Sequence, residues 1–449
     1  MSSLDITVIA VLAAATTGVA PLASATERPG EPAPEAPTLT LSRAVQTALL
    51  NQPVVRQARA STDAAAGRVD QAASGELPQV TGTASYQRTT GNFSPRPGAT
   101  SAAVQMAPPW SSQTFNYFNA GLTASQLVYD FGQTDLRRRA AESSRSALEA
   151  AERTAASTVK LQVEQAFFRG RAQKALIVVA RAAISNQQKH LEQIQGFVGA
   201  GLRPEIDLAQ VRTDLANARV QLITAQNGYD MAKAELNQAM GVLSSRTYDI
   251  SDDDLPAVEG EDSALTPLVQ DAMSRRPELT QLQRQRLAQT QLIRSLKGGY
   301  GPALSANAAA TETGTELDNL VPNWWVGATL AWPLLQGGLT RGQVREADAN
   351  LRVVDDQLEA LRLQVRLEIE EALLAVRAAK ATTEAVLEAK TNAEEQLRLA
   401  EGRYRNGLGN AIELSDSQQA LTNAAAQSVQ AGFSLSAARA QLSIALGRP

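Results

Sequence analysis

Hydrophobic and polar positions alternate with two different periods along this chain, and the two periods occupy separate stretches. In WWVGATLAWPL one alternate set is Trp324, Val326, Ala328, Leu330, Trp332 and Leu334, and the other is Trp325, Gly327, Thr329, Ala331 and Pro333. A period of two with one apolar face predicts a strand. QVTGTASYQ divides the same way, with Val80, Gly82, Ala84 and Tyr86 against Gln79, Thr81, Thr83, Ser85 and Gln87. So does FNAGLTASQLVY, with Phe118, Ala120, Leu122 and Ala124 against Asn119, Gly121, Thr123 and Ser125. ALSANAAATE, Ala303 to Glu312, completes a set of four strands. Elsewhere the period is helical. Leu351, Val354, Leu358, Leu361 and Val365 recur at spacings of three and four, a coiled-coil seam, and Arg352, Asp355, Asp356, Glu359 and Arg362 fill the polar faces. No Pro occurs between Pro109 and Pro204 or between Pro333 and Pro449. Helices from Gln133 to about Gly196 and from Thr340 to Gly402 would each be about 95 Å long at ~1.5 Å per residue. Helices of that length make an elongated molecule.

The pattern is written twice. LSRAVQTALLNQP from Leu41 matches LTPLVQDAMSRRP from Leu265, an offset of 224 that also pairs Pro53 with Pro277 and Pro78 with Pro302. Further on the offset is 206, pairing Gly121 with Gly327, Gly132 with Gly338, Gly201 with Gly407 and Gly241 with Gly447. The register therefore slips by 18 residues between about Tyr86 and Gly121, which places an insertion in RTTGNFSPRPGATSAAVQMAPPWSSQ of the first copy. Its Gly, Pro and Ser content predicts a long loop. Each copy reads as short helix, second helix, strand, strand, then two long helices joined by a Gly-rich tip.

Strands of about ten residues, apolar on one side and polar on the other with aromatics near the ends, fit a transmembrane barrel. Trp324 and Trp332 are eight residues apart, about 26 Å at ~3.3 Å per residue, close to the ~25 Å apolar band of such barrels. They are expected at the two membrane interfaces with the indole N–H toward the headgroups, and Tyr86 and Phe118 are the matching aromatics of the first copy. A small soluble sheet with the Trp residues in a core is the alternative. Four strands cannot close a barrel, and open edges in lipid are prohibitive. Two copies would give about eight strands and a filled interior, and three give about twelve and a lumen. A cyclic trimer is the smallest assembly with a pore. The expected fold class is mainly α with a transmembrane β-barrel: a duplicated helix-strand-strand-helix protomer with four strands and long coiled-coil helices.

Composition narrows the chemistry. The chain has 449 residues, net charge −4 and no cysteine, so nothing points to nucleic acid, disulfides or a thiolate metal site. His190 is the single histidine, set on a polar helix near a tip and expected at the surface. Gly199-Ala200-Gly201 begins a G-x-G-x-x-G, but Pro204 takes the last place and a helix precedes it, so no nucleotide cofactor is implied. No metal site, cofactor or catalytic constellation emerges. Residues 1–25 read as a signal peptide, with apolar or small Ile6 to Val19 and a small-residue site at Ala23-Ser24-Ala25. Residues 26–38 form a Pro-rich linker, 39–241 the first repeat, 242–263 an acidic linker whose SDDDLPAVEGEDS is expected as a solvated loop, and 264–449 the second repeat.

With this layout and the tips GFVGAGLRPEIDLAQVR (Gly196 to Arg212) and GRYRNGLGNAIELSDSQQAL (Gly402 to Leu421), the sequence resembles the TolC-type outer-membrane efflux and secretion channels. The second tip is similar to the family's R-Y-x-x-G hairpin tip at Arg403, Tyr404 and Gly407, with Leu414 in the leucine role. The resemblance implies a homotrimer with a 12-stranded barrel in the outer membrane of a Gram-negative bacterium and a helical tunnel across the periplasm. A periplasmic adaptor and an inner-membrane pump would be its partners, and outer-membrane lipid its surroundings. It implies an acidic ring at the entrance, matched by Glu413 and Asp416, and gate links matched by Tyr404 and Asp207. The family's tip arginine is Gly409 here, a departure that Arg203 or Arg405 would have to make good. Gly201, Leu202, Gly407 and Leu408 at the hairpin tips would meet the adaptor. The function implied is a passive exit channel for efflux or type I secretion, not an enzyme. A periplasmic coiled-coil adaptor or scaffold without a barrel is the competing reading.

Overall fold

The computed structural model describes residues 37–90, 114–243 and 248–448. The expected signal peptide, nearly all of the Pro-rich linker and most of the inserted loop lie outside the described residues. Each repeat opens with a short helix, α1 (Leu41–Asn51) and α5 (Leu265–Arg275). A second helix follows, α2 (Pro53–Ala73) and α6 (Pro277–Gly298). The break between them has one cause in both copies. Gln52 (φ −66°, ψ 123°) and Arg276 (φ −67°, ψ 123°) are held extended by the following Pro, which then serves as the first residue of the next helix.

The long helices are α3 (Gln133–Gly199) and α7 (Leu339–Arg405), 67 residues each, about 100 Å at ~1.5 Å per residue. Each turns at a tip into a 35-residue return helix, α4 (Glu205–Ala239) or α8 (Ala411–Ala445). The return helix packs beside the far half of its long helix, α2 or α6 packs beside the near half, and α3 also touches α6 and α8.

The two offsets reappear in the core. Val159, Val163, Phe167, Leu236 and Met240 of one cluster correspond at 206 to Val365, Ile369, Leu373, Leu442 and Leu446 of the other, and Ala48 and Val55 correspond at 224 to Ala272 and Leu279. Each fully buried aliphatic or aromatic side chain contributes about 1.5–3 kcal/mol. Leu358 and Val365 of the heptad seam are buried, while Arg352, Asp356, Glu359 and Arg362 are exposed.

The strands β2 (Gln79–Thr90), β3 (Thr114–Tyr129), β5 (Ala303–Gly314) and β6 (Val321–Ala331) form one antiparallel sheet in the order β2-β3-β5-β6. Pairing across the row Gly82, Leu122, Ala310, Trp324 and the row Thr83, Gly121, Thr311, Asn323 puts all the apolar sets on one face and the polar sets on the other. β2 reaches Thr90, so the inserted loop begins later than the sequence pattern placed it. Neither face carries a helix layer, and every residue of β6 is exposed. Trp324 is 80% exposed, which removes the soluble-core alternative. Among the described residues, β2 and β6 each have one unpaired edge.

The acidic linker differs from its expected form. A two-residue strand, β4 (Asp249–Ile250), pairs in parallel with β1 (Thr38–Leu39) and drives Ile250 into the first core. Lys174 meets Asp249 at 2.9 Å, and Tyr229 donates to the same carboxylate at 2.6 Å. At the other end Glu261 is buried, accepting from Arg439 at 3.0 and 3.1 Å, from the Val258 N–H at 3.0 Å, and meeting Lys380 at 2.7 Å. Only part of the segment is solvated, because its carboxylates answer cations on α3, α7 and α8. The linker ties both repeats together.

Candidate functional site

The end of the bundle farthest from the sheet holds both tips. Each long helix finishes in the same capping motif. Gly201 (φ 72°) and Gly407 (φ 75°) adopt the left-handed conformation, and the next residue's N–H reaches back: Leu202 to the Phe197 carbonyl and Leu408 to that of Arg403, both at 2.9 Å. The leucines in that position do not fold onto their helices. Leu202 is 70% exposed and Leu408 75%, and Ile206 and Ile412, the next apolar pair at offset 206, are exposed too. Four apolar side chains therefore stand at the extreme end in two equivalent sets, a pattern that marks contact surfaces.

Inside the tips the two hairpins are unlike. Tyr404 is 2% exposed and packs with Ile194, Val211, Leu397 and Leu414. Its ring meets His190 edge-on at 5.4 Å, and the Arg203 guanidinium lies over it at 5.0 Å. Arg203 also donates to the Gly409 carbonyl at 3.2 Å, joining the first tip to the second. Arg203 thus places a cation beside Gly409. The Tyr404 hydroxyl has no partner within the protomer, and burial raises its pKa. Asp207 sits half-buried in the first turn of α4 without a bond to Tyr404 in the protomer. His190 was expected at the surface and is instead 3% exposed, with neither ring nitrogen hydrogen-bonded. Burial lowers its pKa, against the opposite pull of Asp214, Glu401 and Asp207. It stands four residues before Ile194 and seven before Phe197, the spacing of one helix face, so sequence periodicity did carry the signal.

The two candidate acids begin α8. Asn410 caps that helix by accepting the Glu413 N–H at 2.7 Å. Glu413 is not free: Arg403 reaches it at 3.1 Å in a surface pair. Asp416 is exposed and makes no ion pair among the described residues. Between them in sequence, Ser415 donates to Asp214 at 3.0 Å. Among the described residues no group of three or more His, Cys, Asp or Glu is placed to hold a metal ion.

At the sheet, Tyr86 and Phe118 are cross-strand partners with ring centroids 4.9 Å apart, at the end of the apolar face away from the helices. Trp324 lies on the same face. Trp332 stands just past the end of β6, and its indole N–H donates to the Tyr300 carbonyl at 3.1 Å. The expected orientation toward headgroups is therefore corrected for Trp332. The turn between α6 and β5 offers a backbone carbonyl within reach, and the ring itself stays exposed.

Two segments, residues 44–242 and 268–448, match the family model described as outer membrane efflux protein. The chain belongs to the outer membrane efflux protein family. It is similar to the outer membrane protein TolC of Salmonella enteritidis, with 23% identity over 91% of this chain and 82% of that one. It is also similar to the solvent efflux pump outer membrane protein SrpC of Pseudomonas putida, with 23% identity over 70% of this chain and 68% of that one. Its fold matches the outer membrane protein VceC of Vibrio cholerae at a TM-score of 0.77 and 20% identity, covering 91% of this chain and 96% of that one. This outer membrane efflux protein is thus an outer-membrane channel protein. Among its described residues no helix is long and apolar enough to cross a membrane. A 12-residue strand tilted by about 40° spans about 30 Å, the hydrocarbon thickness.

Proposed function

We propose that three copies close a 12-stranded barrel and form a passive exit duct, fed by a periplasmic adaptor and an inner-membrane pump, for efflux or type I secretion. The observation that carries this reading is the bare sheet. Its β2 and β6 edges and both its faces are uncovered, and unpaired backbone in lipid costs several kcal/mol per group. β2 runs away from the helices and β6 runs toward them, so β6 of one copy beside β2 of the next continues the antiparallel order. The duct does no chemistry of its own, and its partners supply the energy.

The hairpin end is the entrance in this reading, and the exposed set Leu202, Ile206, Leu408 and Ile412 meets the adaptor. Each copy brings Glu413 and Asp416, with Arg403 offsetting Glu413, so Asp416 dominates the charge of the ring. Tyr404 and Asp207 act across neighbouring copies or not at all, since one copy leaves the Tyr404 hydroxyl without a partner.

The chain has no cysteine, so a cysteine scanned along β2 against one at Val326 of β6 can crosslink only where it was placed. The expected product is a covalent trimer ladder in detergent. A monomer by light scattering in mild detergent, with no intermolecular crosslink at any register, refutes the assembly.

A further inference from the structure

The interior of the hairpin end is the least satisfied region of the molecule. Among the described residues, five of the eight buried side-chain atoms without a hydrogen-bond partner lie there: both nitrogens of His190, the Tyr404 hydroxyl, and the amide oxygens of Gln187 and Gln418. A cavity of about 360 Å³ adjoins them, lined by His190, Tyr404 and Gln418 together with Lys189, Glu401 and Arg405. Each such atom left without a partner costs about 1–3 kcal/mol, and among the described residues most of them lie at this end.

We propose that His190 is an acid-sensitive lock on the two hairpins: with the ring neutral they pack shut around Tyr404, and a proton on the ring drives that end of the bundle open. The inference rests on the entrance reading for its consequence, and on the packing for its mechanism. The surroundings explain the direction. His190 shares its cavity with Lys189 of its own helix and with Glu401 and Arg405 of α7. Asp214 of α4, then Glu401 and Asp207, favour the charged ring, and α8 contributes the uncharged Leu414 and Gln418. Two of these carboxylates are already engaged. Glu401 holds Arg405 at 3.2 Å, and Asp214 accepts from Ser415. An imidazolium therefore finds no carboxylate at bonding distance within the protomer and stays largely out of solvent. Opening supplies the water. It also separates Tyr404 from Arg203, and with it the Arg203 link to Gly409 that joins the tips.

The linkage sign follows from burial. A histidine depressed in the folded state is uncharged above the ordinary imidazole range, and the closed packing is complete there. As pH falls below about 6.5 the open form binds the proton preferentially, and closure weakens by up to about tenfold per pH unit until the folded value is passed.

The test is hydrogen exchange of the full-length protein in detergent, corrected for intrinsic rates, at about pH 7.5 and about pH 5. Wild type should lose protection in peptides covering 186–214 and 397–418, with the region around Val159 to Phe168 as the unchanged reference. His190→Phe keeps an aromatic edge for Tyr404 and cannot titrate, and it should show the same tip protection at both values. Unchanged protection in wild type overturns the lock, and needs no variant. So does an acid response that persists in His190→Phe. Single-channel recording then separates the two readings: a tip that loosens in acid without a higher open fraction keeps the lock and counts against the hairpin end as the entrance.

Discussion

Replacing Glu261 by Gln should open the acidic linker without dismantling the helices. Glu261 is 3% exposed. Burial alone would raise its pKa, but hydrogen bonds from Arg439 and Lys380 override that and hold it near 2 against an ordinary 4.5. At about 1.36 kcal/mol per pKa unit, this depression corresponds to about 3 kcal/mol of stability at neutral pH. The sign is that of a depressed acid: the contribution is complete above 4.5 and is lost as pH falls toward 2. Gln keeps the shape and removes the charge, leaving the Arg439 guanidinium, largely buried, against a neutral amide. Protection of residues 251–263 from hydrogen exchange should fall roughly a hundredfold at neutral pH, since each ~1.4 kcal/mol is tenfold. The acid sensitivity between 4.5 and 2 should shrink in the variant by the share that Glu261 carries, with Asp249 and Asp271 still held low by their own cations. Asp262→Asn is the control. Asp262 meets Lys380 at 2.7 Å but is exposed, and such pairs are worth about 0–1 kcal/mol. If Glu261→Gln exchanges within a few-fold of wild type and of that control, the linker is not held by its buried charge.

Gly121→Val should abolish the proposed trimer, read as a heat-modifiable band in outer-membrane extracts, because a Cβ there lies 2.6 Å from the Ala310 carbonyl and 2.7 Å from the Thr311 Cα. Gly82→Ala, where the nearest atom would be 3.5 Å away, should assemble normally. Arg203→Ala removes the bond to Gly409 and the stack on Tyr404, about 1–2 kcal/mol together, and single-channel recording should show a higher open fraction. Asp416→Ala should reduce cation selectivity in planar bilayers more than Glu413→Ala does, because Arg403 already offsets Glu413; equal effects refute the assignment.

What the sequence disclosed was periodic or repeated. The strands, the heptad seam and the two offsets all survive in the structure, because period and repetition depend on neighbours a few residues apart and on duplicated spacing. Gly201 and Gly407 were legible as tips for a similar reason, since a left-handed cap selects Gly locally. Other features depended on partners far along the chain. Glu261 finds Arg439 178 residues away, and no local pattern separates it from the exposed Asp252 and Asp254 of the same linker. The Trp332 N–H finds a carbonyl 32 residues back, in a turn whose geometry no alternation encodes. His190 lies between these cases. Its spacing to Ile194 and Phe197 marked the inward face, and polar neighbours masked it.

The two hairpins are alike outside and unlike inside, and this division accounts for Gly409. At offset 206 Leu202 corresponds to Leu408, Ile206 to Ile412 and Asp207 to Glu413, so both tips present the same apolar end and an acid in the first turn of the return helix. The interior positions do not correspond in kind: Val198 stands opposite Tyr404, His190 opposite Gln396, and Arg203 opposite Gly409. That last pair is in contact, guanidinium to carbonyl. A Cβ at residue 409 would lie 3.2 Å from the Tyr404 nitrogen and 3.3 Å from the Arg403 Cβ, so a side chain there would crowd the very turn that presents the carbonyl. The cation that the family resemblance places at this position stands on the opposite hairpin instead, where it reaches both the carbonyl and the Tyr404 ring. One arginine then joins the tips within a single copy. A link of that kind needs no second copy of the chain.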